Sequence, residues 1–531
     1  MITDNQAAAI ALLSNPAFHG VRGSVDIIET HISRIFLAGE RAWKMKRAVK
    51  LPYVDFSTPE LRLAACAKEV ELNSKTAPGL YIRSHQITEE ADGRLALDGT
   101  GRLVDAVVEM KRFEQSSLLD RLALARKLSP ALMSETAQVI ARFHRDAPIA
   151  HERSGAEIMA GVLDINEAGL AGSHVFREAE TATFNKAFRS ALARHATLLD
   201  RRAMEGKVRR CHGDLHLRNI CLFDGAPRLF DCIEFSKEIA TVDVLYDLAF
   251  LLMDLWHHGF AALANLVMNR YLDETDEDDG FSLLPFFMAI RAAVRAHVTA
   301  TLVEEGGTAA GLIDEARAYF DLALALLRET PPRLVAIAGL SGSGKTSVAE
   351  MLAANLGVPP GARIVESDRI RKALYGVPAE THLPSDAYRP EVSQKVYQEM
   401  VRRAGLILRQ GGSVIADAVF ERATDRINIE AEARKIGLPF LGFWLDAVPA
   451  SLRQRVETRR GGPSDATADV LARQLQRHID YSYWTKIDAG RDLETIVADI
   501  LAHLEEAHTP SERKEARVRS RAGSSGHRRP R

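Results

Sequence analysis

Residues 211–219, CHGDLHLRN, set Asp214 and Asn219 at the D-x-x-x-x-N spacing of a phosphoryl-transfer loop. An aspartate there can accept the proton of an attacking hydroxyl, and the asparagine can help hold Mg²⁺ against phosphates. Asp231 follows in LFDCIEF, at the end of a strand-like run where a second metal-binding carboxylate belongs. Further along, GLSGSGKT, from Gly339 to Thr346, fits G-x-x-x-x-G-K-[ST] at every fixed position. Backbone N–H groups over Gly339, Ser341, Gly342, Ser343, Gly344, Lys345, Thr346 and Ser347 would surround ATP phosphates, helped by the positive end of a helix. Lys345 would reach the β and γ phosphates, and the Thr346 hydroxyl would ligate Mg²⁺.

Each set needs partners. A kinase of the first kind requires a lysine on a sheet strand and a helical glutamate to orient it. RAWKMKRAV supplies the strand, and alternation puts Lys44 and Lys46 on one face with Trp43 and Met45 on the other. Lys46 is preferred, with Lys44 as the alternative. Glu69 is preferred over Glu71 as its partner, against the competing reading of both as an exposed helix face. No G-x-G-x-x-G precedes that strand. THISRIFLAG stands there, which leaves Ser33 and backbone amides as the phosphate contacts. In the second set, Asp368 follows a strand end and can accept a proton from a substrate hydroxyl, while Arg371 can hold an anionic group. Helix capping is the competing role for Asp368. Asp417 closes the apolar strand SVIAD, the place of a Walker B carboxylate that holds Mg²⁺ through water. Arg455 and Arg459 share a helix face at a spacing of four, as a lid over the γ-phosphate or as a solvated basic face.

The elements that must position these residues fall into two domains. In ETPPR, from Glu329 to Arg333, two prolines follow the periodic helix DEARAYFDLALALLRE and precede the strand LVAIA, which sets a cut near residue 331. Residues 1–330 read as a small sheet lobe followed by a mainly helical lobe. Residues 331–507 alternate strand and helix, as βαβ units with a parallel sheet do. Residues 508–531 form a tail in which Ser511 to Arg531 holds eight Lys/Arg against two Glu, expected to be disordered or to bind a polyanion.

Composition excludes little else. The 531 residues are 46% hydrophobic and 26% charged with a net charge of −2, an ordinary globular balance that gives no general reason for a nucleic-acid or membrane partner. Four cysteines without CxxC spacing, no basic signal start and no apolar run of membrane-span length point to the cytoplasm.

With P-loop, SDRIRKALYG and DAVF in that order, residues 331–507 resemble small P-loop kinases grouped with gluconate kinase, polynucleotide 5′-kinase and the zeta-toxin type. That resemblance implies phosphoryl transfer from ATP to a hydroxyl with Asp368 as base. HGDLHLRN, from His212 to Asn219, resembles the aminoglycoside phosphotransferase signature, which implies a two-lobed, protein-kinase-like α+β fold over roughly residues 25–330. The same resemblance makes VVEMKRF the lobe hinge at adenine and IARFHRDAP the helix before the substrate region. It also matches Asp243 and Asp247 to acidic positions for which capping or pairing around the loop is the preferred role. Arg218 stands where many relatives carry glycine, which bears on the acceptor site, and no acidic cluster marks a polycationic antibiotic as acceptor. The whole arrangement is similar to bacterial bifunctional phosphotransferase/ATP-binding proteins. The leading expectation is two ATP- and Mg²⁺-dependent phosphotransferase domains acting on small hydroxylated molecules. The alternatives are a ligand-sensing first domain that regulates the second, and an RNA-end kinase that uses the basic tail.

Overall fold

The computed structural model describes residues 5–51, 53–304, 311–458, 462–477 and 484–506. They gather into two units: residues up to Thr275 with Leu283–Arg328, and Asp276–Ser282 with the chain from Glu329 onward. Arg459 and the basic tail lie outside the described residues.

In the first unit α1 (Ala7–Ser14) precedes β1 (Asp26–Glu29), β2 (Ser33–Ala38) and β3 (Arg41–Lys46). The short ladder of β4 (Lys50–Leu51) and β5 (Val54–Asp55) leads into α2 (Pro59–Thr76). β6 (Tyr81–Glu89), β7 (Leu95–Leu97) and β8 (Arg102–Lys111) complete an antiparallel sheet ordered β1-β2-β3-β8-β6-β7. Pleating sorts β3. Trp43 and Met45 pack with Ala9, Leu13 and Val107 on the α1 side, while Ala42 joins Cys66, Leu80 and Val108 on the α2 side. Lys44 and Lys46 therefore face α2. That helix begins at Thr58, whose side chain accepts from Leu61 N–H, with Pro59 in its first turn. Its buried residues Arg62, Ala65, Cys66, Glu69, Asn73 and Thr76 recur at three- and four-residue steps, a single stripe that turns Glu69 inward.

The helical lobe comprises α3 (Leu119–Leu124), α4 (Pro130–Asp146), α5 (Gly155–Ala171), α6 (Glu178–Met204), α7 (Val244–His257), α8 (Ala261–Thr275), α9 (Leu283–Glu304) and α10 (Leu312–Leu326). Between α6 and α7 lie β9 (Val208–Arg210), β10 (Ile220–Phe223), β11 (Ala226–Leu229) and β12 (Thr241–Asp243), with β10 paired to β11 and β12 to β9. α9 has the length and apolar composition of a membrane span, yet 61% of its apolar window is buried in the lobe. It is a core helix, with Phe286, Phe287 and Ile290 fully enclosed.

The second unit holds a five-stranded parallel sheet. Its elements run β13 (Leu334–Gly339), α11 (Lys345–Ala353), β14 (Arg363–Glu366), α12 (Ser367–Leu374), α13 (Pro390–Arg409), β15 (Val414–Asp417), α14 (Ala423–Ile436), β16 (Phe440–Asp446), α15 (Pro449–Thr458), α16 (Ala468–Leu475), β17 (Thr485–Asp488) and α17 (Leu493–Glu506). The strand order is β14-β15-β13-β16-β17, and every residue of β13 is buried, as a parallel strand covered on both faces requires. β13 has β15 on one side and β16 on the other, so its C-terminal end opens at a switch point where ligands bind.

The expected first domain, residues 1–330, includes residues 276–282, but packing assigns that segment to the second unit. Asp278 Oδ1 accepts from Arg363 Nε at 2.8 Å, and its carbonyl accepts from Gln410 Nε2 at 2.9 Å. Arg403 lies 3.2 Å from Asp276. Arg363 opens β14 and is fully buried, so its charge depends on that carboxylate. Hydrophobic periodicity carries no trace of such an insertion, because ion pairs and hydrogen bonds hold it. Asp278→Ala is expected to destabilise the second unit by about 3 kcal/mol, with a smaller loss for Asp278→Asn. Urea unfolding of the full chain, followed by hydrogen exchange in β14, measures it.

Candidate active sites

β3 and α2 meet over Glu69. Lys44 Nζ lies 2.7 Å from Glu69 Oε1, and Lys46 Nζ lies 2.5 Å from Glu69 Oε2. Lys44 also pairs closely with Asp231, and Lys46 with Glu234. Burial pushes the Glu69 carboxyl up, but Lys44 and Lys46 outweigh it and hold the group below the usual range. Burial pushes both ammonium groups down, and their acidic neighbours more than reverse it, Asp231 foremost for Lys44 and Glu234 for Lys46. The two lysines differ in reach. Lys46, the preferred candidate, is the deeper and is tied to Glu234. Lys44, the alternative, extends to Asp231, whose carboxylate is 40% exposed. Glu71 points outward to Lys68 at 2.8 Å.

Asp231 itself has φ of +64°, a left-handed backbone uncommon for a residue with a side chain and recurrent where function demands it. Its N–H donates to Tyr81 Oη at 3.2 Å, and the next N–H, of Cys232, donates to Asn73 Oδ1 at 3.0 Å. Sheet and helix thus pin this turn from two sides.

The loop after β9 is held through its backbone. Asp247, in the first turn of α7, accepts from His212 N–H at 3.1 Å and from Gly213 N–H at 2.8 Å. Two turns further along the helix, Asp254 accepts from Leu217 N–H at 3.0 Å. Arg291 Nη1 donates to Gly213 O at 3.1 Å. Gly213 has φ of +87°, and a Cβ there would lie 2.9 Å from Ala240 Cβ, so only glycine fits. His212 donates from Nε2 to Phe230 O at 2.9 Å, and Phe230 N–H donates to Asn219 O at 3.0 Å, which joins the loop to the residue before Asp231. Asn219 Nδ2 donates to Asp214 Oδ2 at 2.9 Å, an arrangement that leaves the carboxamide oxygen as an acceptor. Burial raises the Asp214 carboxyl, but the opposing pull of His216 (3.3 Å away), His212 and Arg291 leaves it well below the usual carboxylate range.

Asp243 and Asp247 take the structural roles expected of them. Asp243 caps α7 through Leu245 N–H and forms a double contact with Arg202 at 2.8 and 2.9 Å. His144, Cys211 and Asp247 lie close enough to suit a metal. However, the carboxylate serves backbone N–H groups, His144 serves Tyr271 and Asp247, and burial keeps the Cys211 thiol protonated. Where a Gly-rich loop is absent, β1 and β2 join in a closed turn: Thr30 N–H donates to Ser33 O at 2.8 Å, and Arg47 Nη1 donates to Thr30 O at 3.0 Å. Ser33 is buried opposite Lys46 in the ladder. The Arg218 side chain is 63% exposed and 3.8 Å from Asp120. Glu234, Asn73 and Tyr81 escaped the sequence reading. Only the D-C-I-E spacing from Asp231 hinted at the first.

In the second unit the P-loop runs from β13 into the start of α11. Gly339, Gly342 and Gly344 have φ of +145°, +83° and +90°, and a Cβ on Gly342 would strike Leu452 O at 2.6 Å. Lys345 Nζ donates to Leu340 O at 3.1 Å, and Thr346 Oγ1 donates to Asp417 Oδ2 at 2.8 Å. Ser341 and Ser343 are buried in the loop, with Ser341 N–H donating to Gln474 Oε1 at 3.1 Å, while Ser347 is exposed. Asp368 sits in the first turn of α12 without a capping bond. Burial raises its carboxyl against the pull of a Ser464 hydrogen bond, Arg371 and Lys345. Arg455, read from sequence as a lid residue or part of a solvated face, is half-turned to the chain after β17. Its Nη2 donates to Ala489 O at 3.0 Å, beyond β17.

Comparison with known proteins agrees with both halves. Residues 85–281 match the profile of the phosphotransferase enzyme family, and residues 334–479 match that of an AAA domain. Uncharacterized proteins of Mycobacterium tuberculosis (strain ATCC 25618 / H37Rv) and Mycobacterium bovis are each 29% identical over 488 residues, covering 89% of this chain and 94% of theirs. A choline/ethanolamine kinase family protein from Mesorhizobium loti has 16% identity and a TM-score of 0.40, covering 62% of this chain and 96% of its own. A gluconokinase from Sinorhizobium meliloti has 22% identity and a TM-score of 0.23, covering 38% of this chain and 100% of its own. The chain therefore joins a kinase-like domain to a P-loop NTPase-like domain, and these two kinase-type domains support phosphotransferase activity.

Burial raises the Asp417 carboxyl to about 6 from 3.8, with Lys345 and Thr346 pulling the other way. A raised value means the folded state keeps a proton that the unfolded chain gives up. That contribution to stability is complete below the unfolded value and is lost as pH rises through about 6. Asp417→Asn is therefore expected to raise the melting temperature of the metal-free protein at pH 8 and to change it much less near pH 4. Thermal melts at the two pH values measure the difference.

Proposed function

We propose that the protein is a phosphotransferase with two ATP- and Mg²⁺-dependent sites, each passing the γ-phosphoryl group to a hydroxyl of a small molecule. The observation that carries this reading is the assembly in the first unit of Lys44, Glu69 and Asp231 into one ion-pair chain, with Asp214 and Asn219 on the loop tied to the same turn. The donors suit the metal. The Asn219 carboxamide oxygen and Asp231 in one unit, and the Thr346 hydroxyl and Asp417 in the other, are hard oxygen ligands. Bound there, Mg²⁺ would offset negative charge that develops on the phosphates.

The chain's own groups do the rest. Lys44, oriented by Glu69, takes a phosphate oxygen, and Asp214, held ionised, accepts the proton of the attacking hydroxyl. In the second unit Lys345 and the inward N–H groups of the P-loop take the phosphates, with Asp368 as the base. Arg371 Nε is buried without a hydrogen-bond partner, and the guanidinium lies 4.6 Å over the Tyr388 ring, which fits an acceptor with an anionic group. All four cysteines are free and buried, in keeping with a reduced, cytoplasmic setting.

The closed Thr30–Ser33 turn favours a second reading, in which the first unit binds a ligand and regulates the second without turning over ATP. Turnover by separate variants decides between them. Asp214→Ala and Lys44→Ala are each expected to remove one share of ATP-dependent product formation, about a hundredfold or more for that product. Lys345→Ala is expected to remove the other share. Products are read as mass gains of one phosphoryl group in a metabolite extract. Unchanged turnover and products in Asp214→Ala would make the first unit a sensor.

A further inference from the structure

One peptide group of the P-loop is gripped at both ends. Its carbonyl, Leu340 O, accepts from Lys345 Nζ at 3.1 Å, and its N–H, on Ser341, donates to Gln474 Oε1 at 3.1 Å. A trans peptide is planar, with C=O and N–H pointing opposite ways, so turning the group breaks both bonds together. An ammonium on the carbonyl also polarises the group and makes its N–H a better donor, so each bond strengthens the other. Gln474 lies 133 residues from Ser341, outside the G-x-x-x-x-G-K-T motif, on the short helix α16. That helix has eight residues, too few to persist in water, so its neighbours must place it. Leu471 is fully buried with Leu452 and Val456 of α15, and Leu340 of the P-loop and Leu475 pack against the same cluster. Gln474, three residues after Leu471, shares that face of the helix. Ahead of it Thr467 caps the helix through Val470 N–H, and Asp465 Oδ2 accepts from Lys372 Nζ at 2.5 Å and from Leu383 N–H at 3.0 Å. Lys372 and Asp465 are both enclosed, so this anchor is costly to break.

We infer that Gln474 is a positioning residue of the second site: it fixes the Leu340–Ser341 peptide and, through that peptide, sets where the Lys345 ammonium stands. The side chain acts on nucleotide only by way of the lysine. Its contribution therefore falls on the β and γ phosphates, which are what a P-loop lysine reaches, and spares the rest of the nucleotide. The inference rests on the reading of the second unit as ATP-dependent, and adds to it a residue outside the motif on which the lysine depends.

Binding of ATP, ADP and AMP to the full-length protein with Mg²⁺ is titrated calorimetrically, AMP by competition against ADP. Lys345→Ala identifies the second unit's binding event as the one it weakens. Gln474→Met keeps the length of the side chain and removes its acceptor, whereas Gln474→Asn keeps an acceptor that falls short of Ser341. Each is expected to weaken ATP and ADP about fivefold at that event, the worth of one neutral hydrogen bond, and to leave AMP unchanged. Thermal melts of both variants check that the second unit stays folded. An equal loss for all three nucleotides, no loss at all, or tighter ATP binding overturns the inference and leaves the two-site reading standing. A wild type whose nucleotide binding is indifferent to Lys345→Ala sinks both.

Discussion

Glu69 has no water, and everything around the first site follows from that. Its two oxygens are shared between Lys44 and Lys46, and each lysine has a second carboxylate at its other side. Removing one partner from such a buried group costs about 3–5 kcal/mol, so the strand, the helix and the turn at Asp231 are held to one mutual register. A second layer repeats the device. Arg62 Nε donates to Asp105 at 2.7 Å, and Gln6 Nε2 reaches both Asp105 at 2.7 Å and Lys46 O at 2.8 Å. The start of α1, the start of α2 and the end of β3 are thereby locked around the lysines. What stays open are the Asp214 and Asp231 carboxylates, each 40% exposed, which marks where a substrate can enter.

The two units build their candidate sites by different means. In the second, the motif is contiguous: glycines with positive φ shape the loop just ahead of the helix. In the first, the loop at residues 211–219 has its N–H groups taken up by Asp247 and Asp254, and these anchors fix the backbone that carries Asp214. One site is a local property of nine residues. The other exists only when a strand, two helices and two loops have packed.

That contrast explains what could be read before the structure. GLSGSGKT, with its strand before and helix after, placed Lys345 and Thr346 at once, and the strand end SVIAD placed Asp417 at hydrogen-bond distance from that threonine. The Asp214–Asn219 spacing was legible for the same reason, since both residues ride on one short turn. Alternation along RAWKMK put both lysines on one face, and the preference for Lys46 over Lys44 had no local basis, because their difference lies in partners on another segment. The spacing of Arg455 reported a helix face and not what that face meets, here the carbonyl of Ala489. Asp278 was invisible as part of the second unit, since its ion pairs with Arg363 and Arg403 leave no periodic signal.

Residue order alone was therefore enough for two kinase-type domains and their fold classes, because glycine freedom, side-chain alternation and turn spacing act over a few residues. Tertiary packing chose Lys44 as the lysine that reaches Asp231, 187 residues away, and recruited Glu234 for Lys46. Those choices lie beyond any local rule. Each is the answer to how charges, once deprived of water, find partners among whatever the folded chain brings beside them.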